Sequence, residues 1–206
     1  KDIVRFLKTL DSLLIDPFEI EIIGGAAAAL AFRSTENTVD IDTTEGLDVL
    51  ERILDATRTL SGVDIPMGRA GVWDGPCNYQ KRRKRAKIKG LKRLKVYTPD
   101  LYDWALMKVM RFRDRDRTHI REAHRKIGFK KNILIRRFLS EMSYVCSNIV
   151  EVVYNFVQMV NMLFGVAEAK RVLKVIMRHK KWKSYLTAEF TPFIGPQEPC
   201  ATRLWR

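Results

Sequence analysis

The chain has 206 residues, with 38 Lys and Arg against 24 Asp and Glu and a formal net charge of +14. That length supports one large domain or two small ones with a real core, and the surplus of cations favours polyanionic partners over acidic ones. Membrane spanning is not expected, because the longest apolar stretch, 148–166, is interrupted by Glu151, Asn155, Gln158 and Asn161, short of the roughly 18–20 uninterrupted apolar residues a bilayer requires.

From the N-terminus, the spacing of Ile3, Phe6, Leu7, Leu10 and Leu13 predicts a helix that Asp16-Pro17 ends. Phe18 to Ile23 alternates apolar residues with Glu19 and Glu21 and predicts a strand. Gly24-Gly25 follows as a turn, and the small-residue run Ala26 to Phe32 predicts a buried helix. Thr38 to Thr43 alternates again, so a strand there puts Val39 and Ile41 on one face and Asp40 and Asp42 on the other. Gly46 to Leu60 returns to helical spacing and stops at Ser61-Gly62, and Val63 to Val72 holds one or two short strands around Pro66 and Gly68.

After a Gly75-Pro76 turn the chain becomes strongly basic: ten of the fifteen residues from Lys81 to Lys95 are Lys or Arg, and none is acidic. Leu91, Leu94 and Val96 predict a further strand, and Thr98-Pro99-Asp100 starts a helix expected to run to about Lys126, ahead of Gly128. Two or three more helices are expected over 132–164 and 166–186. The expected organisation is an α+β part over 1–128, a helical C-terminal domain over 129–190, and a Pro- and Gly-bearing tail over 191–206.

Two carboxylates on one strand face, Asp40 and Asp42, supply the hard oxygen ligands that suit magnesium. A Gly-Gly turn ahead of a helix lets backbone N–H groups approach phosphate oxygens without a side chain intervening. Together the two features point to a nucleoside triphosphate with its magnesium, bound by Gly24, Gly25, Asp40 and Asp42. Lys108, placed among Leu106, Val109 and Met110, is the cation expected to reach a phosphate as a point charge, in a stripe with Arg111, Arg115 and His119. His119, His124 and His179 show no metal-ligand spacing and are expected to be satisfied or solvated.

The order Ile22-Ile23-Gly24-Gly25, a small-residue helix, then Thr38-Val39-Asp40-Ile41-Asp42 resembles the DNA polymerase β-like nucleotidyltransferase superfamily, nearest its minimal members that include the AbiEii-type toxins. Pro99-Asp100-Leu101 and the later Lys108, Arg111, Asp114 and Asp116 extend the likeness over 18–128. The resemblance implies a nucleotidyltransferase-like mixed sheet, magnesium, a triphosphate site that includes Thr38, and a third carboxylate acting as base, for which Asp74 and Asp64 are the candidates by position. Glu36 stands where such relatives carry an arginine, with Arg33 the nearby substitute. It also implies the role of a toxin paired with a protein antitoxin, while a polyanionic hydroxyl acceptor such as tRNA or another RNA fits the basic run.

The run from Lys81 to Lys95 is the expected RNA contact, with Tyr79 and Tyr97 flanking it. Three scattered cysteines, Cys77, Cys146 and Cys200, lack zinc spacing and fit a reducing cytoplasm. The alternative readings are a nucleic-acid-binding module that retains the fold without the chemistry, and a scaffold whose helical half docks a protein partner.

Overall fold

The computed structural model describes residues 1–35, 38–71, 74–145 and 147–190, with side chains of the last helix described to Leu186. Helix α1 (Asp2–Leu13) buries Phe6, Leu7 and Leu10 and leads into strand β1 (Phe18–Glu21). Helix α2 (Gly24–Ala31) follows at once, then β2 (Ile41–Thr43), α3 (Leu47–Ser61) and β3 (Met67–Arg69). The short edge strand β4 (Lys84–Arg85) and β5 (Leu94–Thr98) complete the sheet elements.

Strand β1 runs parallel to β5, and β5 pairs antiparallel with β4. Strand β2 runs parallel to β3, with α3 as the crossover that a parallel pair requires. A bridge between Ile22 and Thr43, with Ile23 N donating to Asp42 O at 2.9 Å and Thr44 N donating to Glu21 O at 3.2 Å, joins the two pairs. That junction brings the end of β1, and so the glycine turn, beside Asp42.

The strand expected over 38–43 is shorter than its alternation suggests and covers only Ile41–Thr43. The Thr38 hydroxyl donates to the Asp40 carbonyl at 3.1 Å, a local turn that competes with the ladder. Pairing begins only where Ile41 N donates to Pro66 O. Val39, expected to share a face with buried Ile41, is therefore 58% exposed.

Helix α2 lies between two cores. Ala26 belongs to the core of α1, α3 and the strands, while Ala27 and Ala28 belong to a larger one that also takes in Trp104 and runs on through Leu186. Alanine suits both contacts, since a larger side chain on either face would force the layers apart. The larger core crosses Gly128 without a break, and in it Phe138 stacks between Phe156 and Trp182, with ring centroids 3.7 and 4.7 Å away.

The single helix expected from Thr98 to Lys126 is two, α4 (Leu101–Val109) and α5 (Asp114–Ile127). Buried Phe112 takes a left-handed conformation (φ 43°) between them, and the Asp116 carboxylate accepts from Arg113 N at 3.2 Å to start the second helix. Asp100, not Thr98, caps α4, accepting from Tyr102 N and Asp103 N. Among the described residues beyond Gly128 come four helices rather than two or three: α6 (Lys131–Glu141), α7 (Ile149–Phe164), α8 (Val166–Arg178) and α9 (Lys180–Phe190).

Two buried acids anchor the basic stretch. Asp11 accepts N–H groups from Lys92, Arg93 and Leu94 at 2.6–3.0 Å. Burial pushes its carboxyl up, but those donors more than offset it and hold the pKa below the usual carboxylate value. Asp103, fully buried, binds Arg82 at 2.8 Å and Arg137 at 2.9 Å, while Arg82 also reaches Glu141 at 2.6 Å. Removing one member of such a network leaves a charge buried without its partner.

Candidate active site

Residues drawn from four segments meet at the N-terminus of α2. The N-cap residue Ile23 makes no side-chain cap bond, and the first N–H groups of a helix have no partner within it. Gly24 sits at φ 66°, in the left-handed region, and a Cβ placed on it would stand 2.7 Å from Asp42 Oδ2. A Cβ on Gly25 would stand 2.8 Å from Thr38 Oγ1. The double glycine is therefore a steric requirement of the acid pair: any side chain would occupy the space where Asp42 and Thr38 lie. The Trp104 indole locks the turn by donating to Gly24 O at 2.9 Å.

Asp42 and Asp40 both turn toward this end of α2. Asp42 does so directly, and Asp40 does so through Thr38, whose hydroxyl lies 3.4 Å from Asp40 Oδ1. Burial and then the Asp40 charge push the Asp42 pKa up, against the opposing pull of Arg111 and Lys108. A carboxylate whose ionised form is disfavoured in this way is stabilised by a nearby cation. Hard, anionic and only two in number, Asp40 and Asp42 fit magnesium as it binds nucleotides, with one or two carboxylates and the remaining positions left to phosphate and water.

A narrow cleft of about 160 Å³ opens beside Asp42, walled by Gly24, Gly71, Trp104, Lys108, Arg111 and Asp116. The ammonium of Lys108, 8% exposed, lies 5.3 Å from the Trp104 ring centroid and donates to Asp116 Oδ1 at 2.6 Å. Burial holds the Lys108 pKa below its usual value, and the Asp116 charge opposes that shift. Arg111, in the turn between α4 and α5, is the exposed cation on the same wall. Arg33 is at the other end of α2, and eight residues of helix separate it from the glycine turn, a distance of about 12 Å. The arginine of the cleft is thus Arg111, while Glu36 lies outside the described residues.

The other anticipated residues are more dispersed. Asp64 lines a separate surface cleft with Thr38 and Val39, and Asp74, half-buried, is not among the residues that wall the Asp42 cleft. The further carboxylate on that wall is Asp116, with one oxygen engaged by Lys108 and the other by Arg113 N. The break between α4 and α5 dissolves the expected single-helix stripe, yet Lys108 and His119 still face each other electrostatically. His119 is neither satisfied nor solvated: it is 1% exposed, packs against Gly25, and neither ring nitrogen meets a hydrogen-bond partner among the described residues. Burial and then the Lys108 charge lower its pKa and keep the ring neutral.

Sequence reasoning missed Glu122. From α5 it accepts from Ser34 Oγ at 2.7 Å, Thr35 Oγ1 at 2.8 Å and Thr35 N at 3.1 Å, while Lys126 donates to Arg33 O at 2.5 Å. These contacts clasp the segment leading toward Thr38 and Asp40. Only the two hydroxyls at Ser34-Thr35 hinted at a partner, and nothing in the spacing named one 88 residues away.

A glycine turn opening a helix, set against an acidic pair beside a parallel strand and followed by a helical C-terminal part, defines a nucleotidyltransferase-like α+β protein. The chain belongs to the family described as nucleotidyltransferase of unknown function (DUF6036), whose model matches residues 2–164. No curated protein and no solved structure matches it.

Proposed function

We propose that this protein is a magnesium-dependent nucleotidyltransferase that moves a nucleotidyl group from a nucleoside triphosphate to a hydroxyl acceptor. The observation that carries the reading is the fit of Asp42 into the space that Gly24 leaves empty, which pairs an anion-binding helix end with a cation-binding acid pair. Asp40 and Asp42 would hold the magnesium, and the ion would supply neutralisation of the triphosphate as pyrophosphate departs. The helix-end N–H groups at Gly24 and Gly25 receive phosphate oxygens, and Thr38 orients Asp40. Lys108 and Arg111 add positive charge on the facing wall, with Lys108 held in place by Asp116.

Asp74 is the proposed base that deprotonates the acceptor hydroxyl, three positions along the chain from Gly71 of the cleft wall. The acceptor is proposed to be RNA, with tRNA the first to test. The resemblance to AbiEii-type proteins supports a toxin neutralised by an antitoxin protein and acting in the cytoplasm.

The test is transfer of label from each α-labelled triphosphate to total RNA with magnesium present. Asp42→Asn and Asp40→Asn should each lower the rate at least on the order of a hundredfold, the scale of losing a principal electrostatic group. Asp74→Asn should lower the rate while leaving triphosphate binding intact. Transfer that survives loss of both Asp40 and Asp42 would remove the metal site. Growth arrest on expression of the wild type but not of Asp42→Asn would sustain the toxin role, and arrest by both would reject its enzymatic basis.

A further inference from the structure

The basic stretch divides into cations already engaged and cations left open. Arg82 is bound to Asp103 and Glu141, and Arg83 and Lys95 both pair with Glu19. The flanking tyrosines are engaged too: Tyr79 is buried with its hydroxyl 3.3 Å from Glu21, and Arg83 covers the ring of Tyr97 at 4.3 Å. Among the cations left exposed, Lys84 and Arg85 of β4 and Lys87 just beyond it line a common groove. Lys84 and Lys87 meet no carboxylate at ion-pair distance among the described residues, and Arg85 feels Glu19 only at longer range.

These three residues form one wall of a groove of about 580 Å³, and Lys130 and Ile127, from the corner between α5 and α6, form the other. The floor is apolar, built from Leu30, Phe32 and Leu101. Among the described residues one acid lines the groove, Asp100, and its charge is taken up by Arg137 at 2.7 Å. The groove thus combines exposed cations on both walls with apolar lining, of which Ile127 is 46% exposed.

We infer that this groove binds a segment of single-stranded nucleic acid, with phosphodiesters along Lys84, Arg85, Lys87 and Lys130 and bases turned to the apolar floor. A continuous track of cations beside apolar surface is the arrangement that holds an unpaired strand, because the backbone needs charge and unstacked bases need cover from water. The volume is that of a drug-sized ligand pocket, so it admits about one or two nucleotides and no duplex. The groove lies at the C-terminal end of α2, one helix length from the Gly24 turn, and Trp104 spans the two ends by bonding Gly24 O and packing on Phe32 at 4.8 Å. Its service as the acceptor site rests on the catalytic reading above, whereas its binding of the strand does not.

Fluorescence anisotropy with a labelled single-stranded RNA, the same sequence as DNA, and the corresponding duplex tests the inference over a range of salt. The triple variant K84Q/R85Q/K87Q should weaken single-strand binding on the order of tenfold or more, and should reduce the magnitude of the salt slope by about 2, the share of three released counterions. A control with equal charge loss on α8, K170Q/K174Q/R178Q, should retain the slope. Equal loss in both variants, an unchanged slope in the groove variant, or duplex binding as tight as single-strand binding would overturn the site. Weaker binding of DNA than of RNA would trace part of the affinity to the 2′-hydroxyl, and equal binding would leave the phosphodiester as the whole of the recognised chemistry. Asp42→Asn should bind RNA as the wild type does, so loss of transfer with binding intact separates failure of the catalytic reading from failure of the groove.

Discussion

The two ends of α2 solve opposite problems with the same short helix. At its N-terminus charged groups press on one another, Asp42 on Asp40 and Lys108 on Asp116, around a cleft of about 160 Å³. At its C-terminus Lys84, Lys87 and Lys130 stand apart around a groove of about 580 Å³ and meet no close carboxylate among the described residues. Crowded, half-buried charge gives positional control, which chemistry on a phosphate requires. Spread, solvated charge gives attraction with little geometric demand, which suits a long polyanion. Substitutions at the first end should therefore damage stability and turnover together, and those at the second should change affinity and salt dependence alone.

The sharpest test of that contrast is Asp116→Asn. It strands the Lys108 ammonium in a site 8% exposed, and losing one partner of a buried pair costs about 3–5 kcal/mol. The Lys108 pKa is already lowered by burial, and removing the Asp116 charge lowers it further. The amine must then be protonated at a cost as pH falls, so the deficit in thermal stability should shrink as pH rises. A deficit below about 1 kcal/mol, the range of surface ion pairs, would show that this end is no more constrained than the groove.

Gly24→Ala comes next. At φ 66°, with a Cβ 2.7 Å from Asp42 Oδ2, it should cost about 1–3 kcal/mol in stability. It should slow transfer on the order of a hundredfold by displacing the carboxylate, an effect out of proportion to one methyl group. Ala at Gly62, also at positive φ but with open space around it, isolates the backbone share of that loss. Equal effects at the two glycines would mean that the close approach to Asp42 does not matter.

How much of this was legible beforehand depended on the distance over which a residue exerts its effect. The helix α3 with its Gly62 stop, the β1 alternation and the glycine turn follow from neighbours within a few positions, and they were readable. So was the nearness of Asp42 to that turn, through the order of the segments. The break between α4 and α5 was not, because helical periodicity continues through 110–113 while the deciding contacts are the burial of Phe112 and the Asp116 cap. The division of the basic run was also hidden: Arg82 and Lys84 are alike as sequence, and only the folded positions of Asp103 and Glu141 make one structural and leave the other open. Arg111 is the same lesson at the cleft, since nearness along the chain pointed to Arg33 while the fold puts Arg111 on the wall beside Asp42.

The smallest effect, and the most local, concerns Glu122, which joins the two ends by holding the segment between them. Hydrogen bonds from Ser34 and then from Thr35, with Lys126 adding its own, pull its pKa down to about 2 from 4.5 in the unfolded chain. A carboxylate depressed in the folded state contributes stability above its unfolded pKa and loses it as pH falls toward the folded one. The contribution, on the order of 2 kcal/mol after solvent screening, should thus be complete above about pH 5 and gone near pH 2. Glu122→Gln keeps the shape but cannot ionise, so the gap in stability between wild type and variant should be constant near neutrality and close on acidification through that window. Hydrogen exchange at Thr35 N, which donates to Glu122 at 3.1 Å, should quicken in the variant with little change in the core. Because this segment leads to Thr38 and Asp40, transfer should slow while single-strand binding at the groove stays as it was. A variant whose stability gap ignores pH would release the clasp from any part in placing Asp40, and the two ends of α2 would then act without a link through α5.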